Sequence, residues 1–301
     1  MTDNAATESI LNIAHRGARA FAPENTLAAF AKAQTFGCQM IELDVHLSKD
    51  REIIVHHDDN LVRCTDVKDK FPEQPSYFIS DFYYEEIDQL DAGGWFAREL
   101  NLPAADRQYF LQSLTPEEFA HYLSPDDLAH YASGAIKVPT LGQTLELARS
   151  LDLRVNIELK MLPRMYPGLT DAVIDLVEAM AMQADVLISS FDHEQLRRVR
   201  ERSPDIATAV LTNERLALPG DYLQRIGADA LHPGTDPLGL QSLTRSLDAD
   251  AIASVRKLGK GVNVWTCNDK DDMRQLLAAG VSGLISDYPN RVREVLDELV
   301  V

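Results

Sequence analysis

Four short stretches of the chain carry side chains able to do acid–base and anion chemistry: His15-Arg16-Gly17, Glu42-Leu43-Asp44, His57-Asp58 and Glu158-Leu159-Lys160. Alternate residues of a strand share a face, so Glu42 and Asp44 point the same way, as do Glu158 and Lys160. Three carboxylates converging from two strands raise one another's pKa unless a counter-charge is supplied. One hard divalent cation with oxygen ligands, Mg2+ or Ca2+, supplies it, whereas zinc would draw His or Cys into its shell. The alternative is that Glu42, Asp44 and Glu158 pair with Lys160, Arg16 and other cations as buried salt bridges. Arg16 and Lys160 beside a cation suit an anion such as phosphate. His15 and His57 titrate near neutrality and are the natural acid and base. A metal, two cations and two histidines together describe hydrolysis of a phosphodiester.

These residues can meet only if the chain places them at neighbouring strand ends. Nine short apolar runs read as strands: 11–15, 39–45, 52–57, 154–159, 186–189, 206–211, 228–231, 261–265 and 283–286. Helix-spaced segments lie between most of them, clearest at 26–36, 140–151, 170–180, 194–202, 249–258 and 271–279. Strand–helix alternation over this length predicts a parallel sheet, and a closed (β/α)8 TIM barrel is the common solution. The nine runs reduce to eight because 46–52 is too short for a crossover helix. The run 52–57 must therefore return antiparallel beside 39–46, as a hairpin arm after the second strand. A turn centred on Asp50 and Arg51 would set His57 beside Asp44. The stretch 97–137, with Pro103 and with Pro116 and Pro125 ahead of acidic pairs, reads as a mostly helical insertion. Barrel sites lie at the C-terminal strand ends, where all four stretches fall.

Composition bounds the rest. The chain has 301 residues, with 29 Lys and Arg against 47 Asp and Glu, a net charge of −18. That fits one barrel domain over 1–301, and its sign disfavours nucleic-acid and stable membrane partners. Residues 1–8 lack the basic and apolar regions of a signal peptide. Cys38, Cys64 and Cys267 are scattered, odd in number and without CxxC spacing, which fits reduced thiols and a cytoplasmic location. Nothing in the pattern sets an oligomeric state. Among the other histidines, His46 reads as a hairpin-arm contact and His56 as packed or solvated. His121, His130 and His193 read as surface residues, and His232 as a lesser substrate candidate at a strand end.

In order along residues 11–295, the motifs resemble those of the glycerophosphodiester phosphodiesterase family. They are His15-Arg16-Gly17, Pro23-Glu24-Asn25-Thr26, Glu42-Leu43-Asp44-Val45, His57-Asp58, Asp91-Ala92-Gly93-Gly94-Trp95-Phe96, Val138-Pro139-Thr140-Leu141, Asn156-Ile157-Glu158-Leu159-Lys160, Val264-Trp265-Thr266-Cys267-Asn268 and Ser286-Asp287-Tyr288-Pro289. The resemblance implies a TIM-barrel, metal-dependent hydrolase that takes glycerophosphodiesters such as glycerophosphocholine or glycerophosphoethanolamine. The products would be sn-glycerol 3-phosphate and an alcohol. It assigns Glu42, Asp44 and Glu158 as metal ligands and His15 and His57 as the acid–base pair, His15 favoured as base. It assigns Arg16 and Lys160 to the phosphate, Trp265 to the substrate pocket, and Glu24 and Asn25 to a supporting polar pair in the substrate site. The loop after His57 keeps Arg63 and Thr65 but lacks the family's glycine. With the insertion, that leaves the leaving group open, with a lysophospholipase D-like specificity or a silent phosphodiester-binding homologue as alternatives.

Overall fold

The computed structural model describes residues 10–161, 166–240, 243 and 246–299, so the segment read against a signal peptide lies outside the described residues. The strands are β1 (Leu11–Ala14), β2 (Met40–Leu47), β3 (Ile53–Val55), β4 (Arg154–Leu159), β5 (Val186–Ser190), β6 (Ala207–Thr212), β7 (Ala230–Pro233), β8 (Gly261–Val264) and β9 (Gly283–Ser286). All except β3 run parallel, in the order β1-β2-β4-β5-β6-β7-β8-β9, and β9 pairs back onto β1 to close the barrel. Every residue of β2 is buried, as a parallel strand covered on both faces requires.

A helix follows each barrel strand: α1 (Leu27–Thr35), α2 (Leu141–Ser150), α3 (Leu169–Ala179), α4 (His193–Arg202), α5 (Pro219–Ile226), α6 (Ala249–Arg256), α7 (Lys270–Ala278) and α8 (Pro289–Glu298). The starts are written locally. Thr26 and Thr140 accept from the backbone N–H groups of Ala29 and Gln143, and Asp269 accepts from those of Asp271 and Asp272. Helices α5 and α8 escape the periodicity reading, although each opens on a proline suited to a first turn.

The arm exists, but its register differs from the expectation. Val45 faces Val55, His46 faces Ile54 and Leu47 faces Ile53. His56, not His57, therefore stands across from Asp44, donating its backbone N–H to the Asp44 carbonyl at 3.0 Å. The turn centres on Asp50 alone: Ser48 Oγ donates to Asp50 at 2.6 Å and accepts from the Glu52 N–H at 2.9 Å. Arg51 takes a left-handed φ of 71°.

The insertion is also larger than 97–137. The helix that belongs to β2 is α2, so everything from 48 to 139 intervenes, the arm included. Its helical part holds Gly94–Leu100, Pro116–Tyr122 and Pro125–Tyr131, the last two opening on Thr115 and Ser124 capping boxes. β1 pairs β2 only at Met40 and Ile41, leaving the far edge of β2 for β3. Val55 in turn donates to Pro139 at 2.9 Å, so the insertion leaves and re-enters the barrel at one place. Its outer part docks on the last helix. Arg291 of α8 donates to both Glu118 oxygens at 2.7 Å and to the Ser113 carbonyl at 2.7 Å, and Tyr288 donates to the Phe110 carbonyl at 2.6 Å.

Breaking one partner of a buried pair leaves the other charge uncompensated. Arg291→Ala is expected to lower the urea-unfolding free energy by about 3–5 kcal/mol, with limited proteolysis cutting first between 100 and 135.

Candidate active site

The acid cluster is built by register. β2 and β4 pair so that Glu42 lies beside Asn156 and Asp44 beside Glu158. One carboxylate oxygen from each of Glu42, Asp44 and Glu158 lies within 4.8 Å of the others, and all three residues are buried. Lys160 Nζ lies 3.0 Å from Asp44 and 2.6 Å from Glu158. Arg16 Nε lies 3.5 Å from Asp44 Oδ2, and Asn25 donates to the same oxygen at 2.8 Å. Ion pairing and crowding therefore coexist: two cations face three acids, and one negative charge remains.

The titration directions follow from that imbalance. For Asp44, burial alone would raise the carboxyl, but Lys160, His57 and Arg16 outweigh it and hold it well below the carboxylate range. Among the described residues Glu42 pairs with no Lys or Arg side chain; it accepts from the Arg16 backbone N–H at 2.9 Å and lies 3.9 Å from His15 Nε2. Burial, with Asp44 and Glu158 as neighbours, pushes it well above the ordinary range. Burial and Asp44 also raise Glu158, against the pull of Lys160. Beside Glu42, the buried Asn156 amide has a partner at neither its oxygen nor its nitrogen. Surplus charge and an unsatisfied amide on an oxygen-rich wall are what a hard cation with further oxygen ligands would relieve.

The backbone at the first strand end is shaped for this contact. Arg16 adopts a φ of 55°, aiming its N–H at Glu42. Gly17 follows at φ 80°, where a Cβ would come within 2.7 Å of Ala29. Only glycine fits there.

Each histidine is backed by its own aspartate. His15 Nδ1 lies 2.6 Å from Asp287, which also accepts from Asn268 at 2.7 Å and sits 3.1 Å from Arg19 Nε. His57 Nδ1 lies 2.7 Å from Asp58, itself held by Arg63 at 2.8 Å. Burial alone would raise the Asp287 carboxyl, but Arg19 and His15 hold it at about 2. Asp58 is likewise lowered, by His57 and Arg63. Both are acceptors at neutral pH, so each Nδ1 carries the proton and each Nε2 is left for the cavity. Burial and Arg16 lower His15 to about 4, and burial lowers His57.

Sequence reasoning missed Asp287, Asn268, Arg19 and Asn156 as site residues. The usable signal was position, because Asp287 follows the end of β9 and Asn156 shares the inward face of β4 with Glu158.

Two cavities meet at the histidines. The inner, about 230 Å³, is lined by His15, Arg16, Glu42, His57, Asn156, Glu158 and Lys160 on its polar side. Phe191, Leu211, Trp265 and Ile285 form its apolar side. Trp265 is fixed there by a 2.7 Å bond to the His232 carbonyl and an edge contact with Phe191. The outer cavity, about 430 Å³, shares His15, Arg16 and His57 and adds residues of the insertion. Glu24 and Asn25 line neither. Glu24 lies beneath Arg16, Arg19 and Arg63, at 3.0, 3.7 and 2.7 Å, so it positions cations instead of meeting substrate.

The remaining histidines divide. His46 bonds the His57 carbonyl at 3.1 Å and Tyr166 at 3.0 Å, as a hairpin contact should. His193 is not a surface residue, because from the start of α4 its ring reaches the Leu211 carbonyl and Tyr222. His232 is buried in the barrel against Asn263 and touches neither cavity.

A TIM barrel with converging acids, cations and aspartate-backed histidines at its strand ends defines a phosphoryl-handling enzyme. The pattern of the glycerophosphoryl diester phosphodiesterase family matches residues 15–291, and the chain belongs to that family. The glycerophosphodiester phosphodiesterase of Caldanaerobacter subterraneus is 32% identical over 93% of this chain and 94% of its own length. The enzyme of that name from Bacillus altitudinis is 30% identical over 95% and 98%. Among solved structures, an Oleispira antarctica phosphodiesterase in complex with the product sn-glycerol-3-phosphate superposes with a TM-score of 0.71 at 24% identity. That match covers 95% of this chain and 96% of the other. No helix among the described residues is long and apolar enough to cross a membrane.

The His15 shift has a sign. The unfolded chain takes up this proton near pH 6.5, while the folded protein resists until about 4. Stability carried by neutral His15 is present above 6.5 and lost as pH falls to 4, about 3 kcal/mol in all. His15→Asn is expected to flatten that segment of a pH series of urea unfolding, and an unchanged slope would contradict the buried neutral histidine.

Proposed function

We propose that the chain hydrolyses glycerophosphodiesters to sn-glycerol 3-phosphate and an alcohol, with one Mg2+ or Ca2+ held by Glu42, Asp44 and Glu158. The observation carrying the reading is the pair of aspartate-backed histidines lining one cavity together with Arg16, Lys160, Glu42 and Glu158. The product in the Oleispira antarctica complex is in keeping with it.

When bound, the cation supplies positive charge that attracts the phosphoryl oxygens and neutralises the acid cluster. Arg16 and Lys160 bind the same phosphoryl group and orient it. His15 Nε2, 3.9 Å from Glu42, lies on the cation side and takes the proton of the attacking hydroxyl. The oxygen of that hydroxyl bonds to phosphorus as the bond to the leaving oxygen breaks. The bound anion raises the proton affinity of His57, which burial otherwise lowers, so that the ring takes up a second proton at Nε2 and gives it to the leaving oxygen while Nδ1–H stays on Asp58. The same two groups serve whether the hydroxyl belongs to water or to the neighbouring glycerol carbon. Trp265 packs against the glycerol carbons.

An acyl-chain entrance has little support. Of the insertion's candidates, Phe110 and Leu111 are buried and Phe119 and Tyr122 pack on the core, leaving only Tyr109 exposed. We take 1–301 as one such domain acting on a small diester in the cytoplasm, without nucleic-acid or stable membrane partners. Three unpaired buried cysteines and the charge of −18 support that setting.

Mg2+ or Ca2+ is expected to raise the melting temperature and restore release of glycerol 3-phosphate from glycerophosphodiesters after EDTA treatment. Glu42→Gln is expected to lose both effects while remaining folded. His57→Ala is expected to lose roughly 10²–10⁴-fold in kcat and keep the cation-induced melting shift; a retained kcat would remove His57 from proton transfer.

A further inference from the structure

A phosphodiester has two arms, and the site has two cavities that share the histidines and Arg16. The inner one is small, closed by Trp265 and Phe191, and matches a three-carbon glycerol. The outer one is wider and is walled partly by the insertion, through Gln108, Tyr109 and Phe110. Resting on the hydrolytic reading above, we infer that the outer cavity is the leaving-group subsite and that it selects an uncharged polyol alcohol over a quaternary ammonium alcohol.

The hydrogen-bonding capacity left on the outer wall sets this preference. Both carboxylates of the outer wall are spent. Asp287 is taken by His15, Arg19 and Asn268. Asp58 is taken by His57 and by Arg63 on both oxygens. No wall carboxylate is left to face a cationic head group. Among the described residues no aromatic cage lines this cavity either: one face of Phe110 is covered by the Arg19 guanidinium, 3.8 Å from the ring centroid. A trimethylammonium group there would meet like charge instead of a free π face. What the wall offers is mainly donors: the Arg19 guanidinium, the one N–H of Arg63 not given to Asp58, Glu24 or Gln108, the Thr266 hydroxyl, and the amide of Gln108, whose carbonyl oxygen is occupied by Arg63 at 3.1 Å. Hydroxyl oxygens satisfy donors without bringing a repelled charge. Tyr109, 88% exposed at the rim, adds a phenol. Arg19 of the barrel repels the cation, and the positive selection of hydroxyls therefore sits on Gln108 and Tyr109, in the insertion.

The test is a competition with metal-loaded full-length protein given equimolar glycerophosphoglycerol and glycerophosphocholine, followed by phosphorus NMR. The methyl ester of glycerol 3-phosphate, whose leaving group is too small to reach the insertion, is run in parallel. Wild type is expected to consume the polyol diester roughly tenfold faster or more than the choline diester. Gln108→Leu is expected to lower the polyol-to-methyl ratio of kcat/KM. Tyr109→Glu, placing a free carboxylate at the rim, is expected to shift the polyol-to-choline ratio toward choline. Parity or a choline preference in wild type, or ratios unmoved by both variants, overturns the subsite while methyl ester cleavage keeps the hydrolytic reading. Failure to cleave even the methyl ester overturns both.

Discussion

Three acids held against two cations organise the catalytic end of this barrel. Asp44 is stabilised in its ionised form by Lys160, Arg16 and Asn25, whereas Glu42, a residue pair further back along β2, is left with a single backbone donor. Such an arrangement is costly to bury, because taking charges out of water is repaid only when every one is matched. The left-handed Arg16, the glycine after it and the buried Glu24 all serve that matching. Glu24 alone gathers Arg16, Arg19 and Arg63, and through them the two histidine–aspartate pairs are tied into one network. A side chain that never faces the cavity thus fixes the spacing of those that do.

The barrel supplies the frame and the 48–139 segment supplies part of the outer wall. β1 releases the edge of β2 after two paired residues, and the arm occupies the vacancy, bringing His57 to the site from outside the ring of parallel strands. One histidine thus comes from the ring and one from the arm, and both line the two cavities.

Much of this was legible in the amino-acid sequence, for identifiable reasons. Barrel strands are short and apolar and their helices carry caps, so alternation alone predicted the architecture. Period-2 spacing put Glu42 with Asp44 and Glu158 with Lys160. What failed was detail that depends on the turn and on tertiary partners. The hairpin register slipped by one because Ser48 and Asp50 close a turn about a single residue, which composition does not reveal. The insertion was drawn too short because the true helix after β2 lies some ninety residues on, at Leu141–Ser150. Asp287 and Asn156 were passed over because an acid or amide at a strand end gains meaning only when its neighbour across the barrel is known.

The docking of the insertion on Arg291 and Tyr288 bears on how the chain reaches its native state. Ser113 and Glu118 contact Arg291 across 178 and 173 residues of sequence. During synthesis the insertion emerges early, while the helix that receives it emerges almost last. Long-range contacts of this kind close late and slow folding. For most of translation, then, Phe110 and its neighbours lack their docking surface, and this is the interval in which the nascent chain depends most on protection from aggregation.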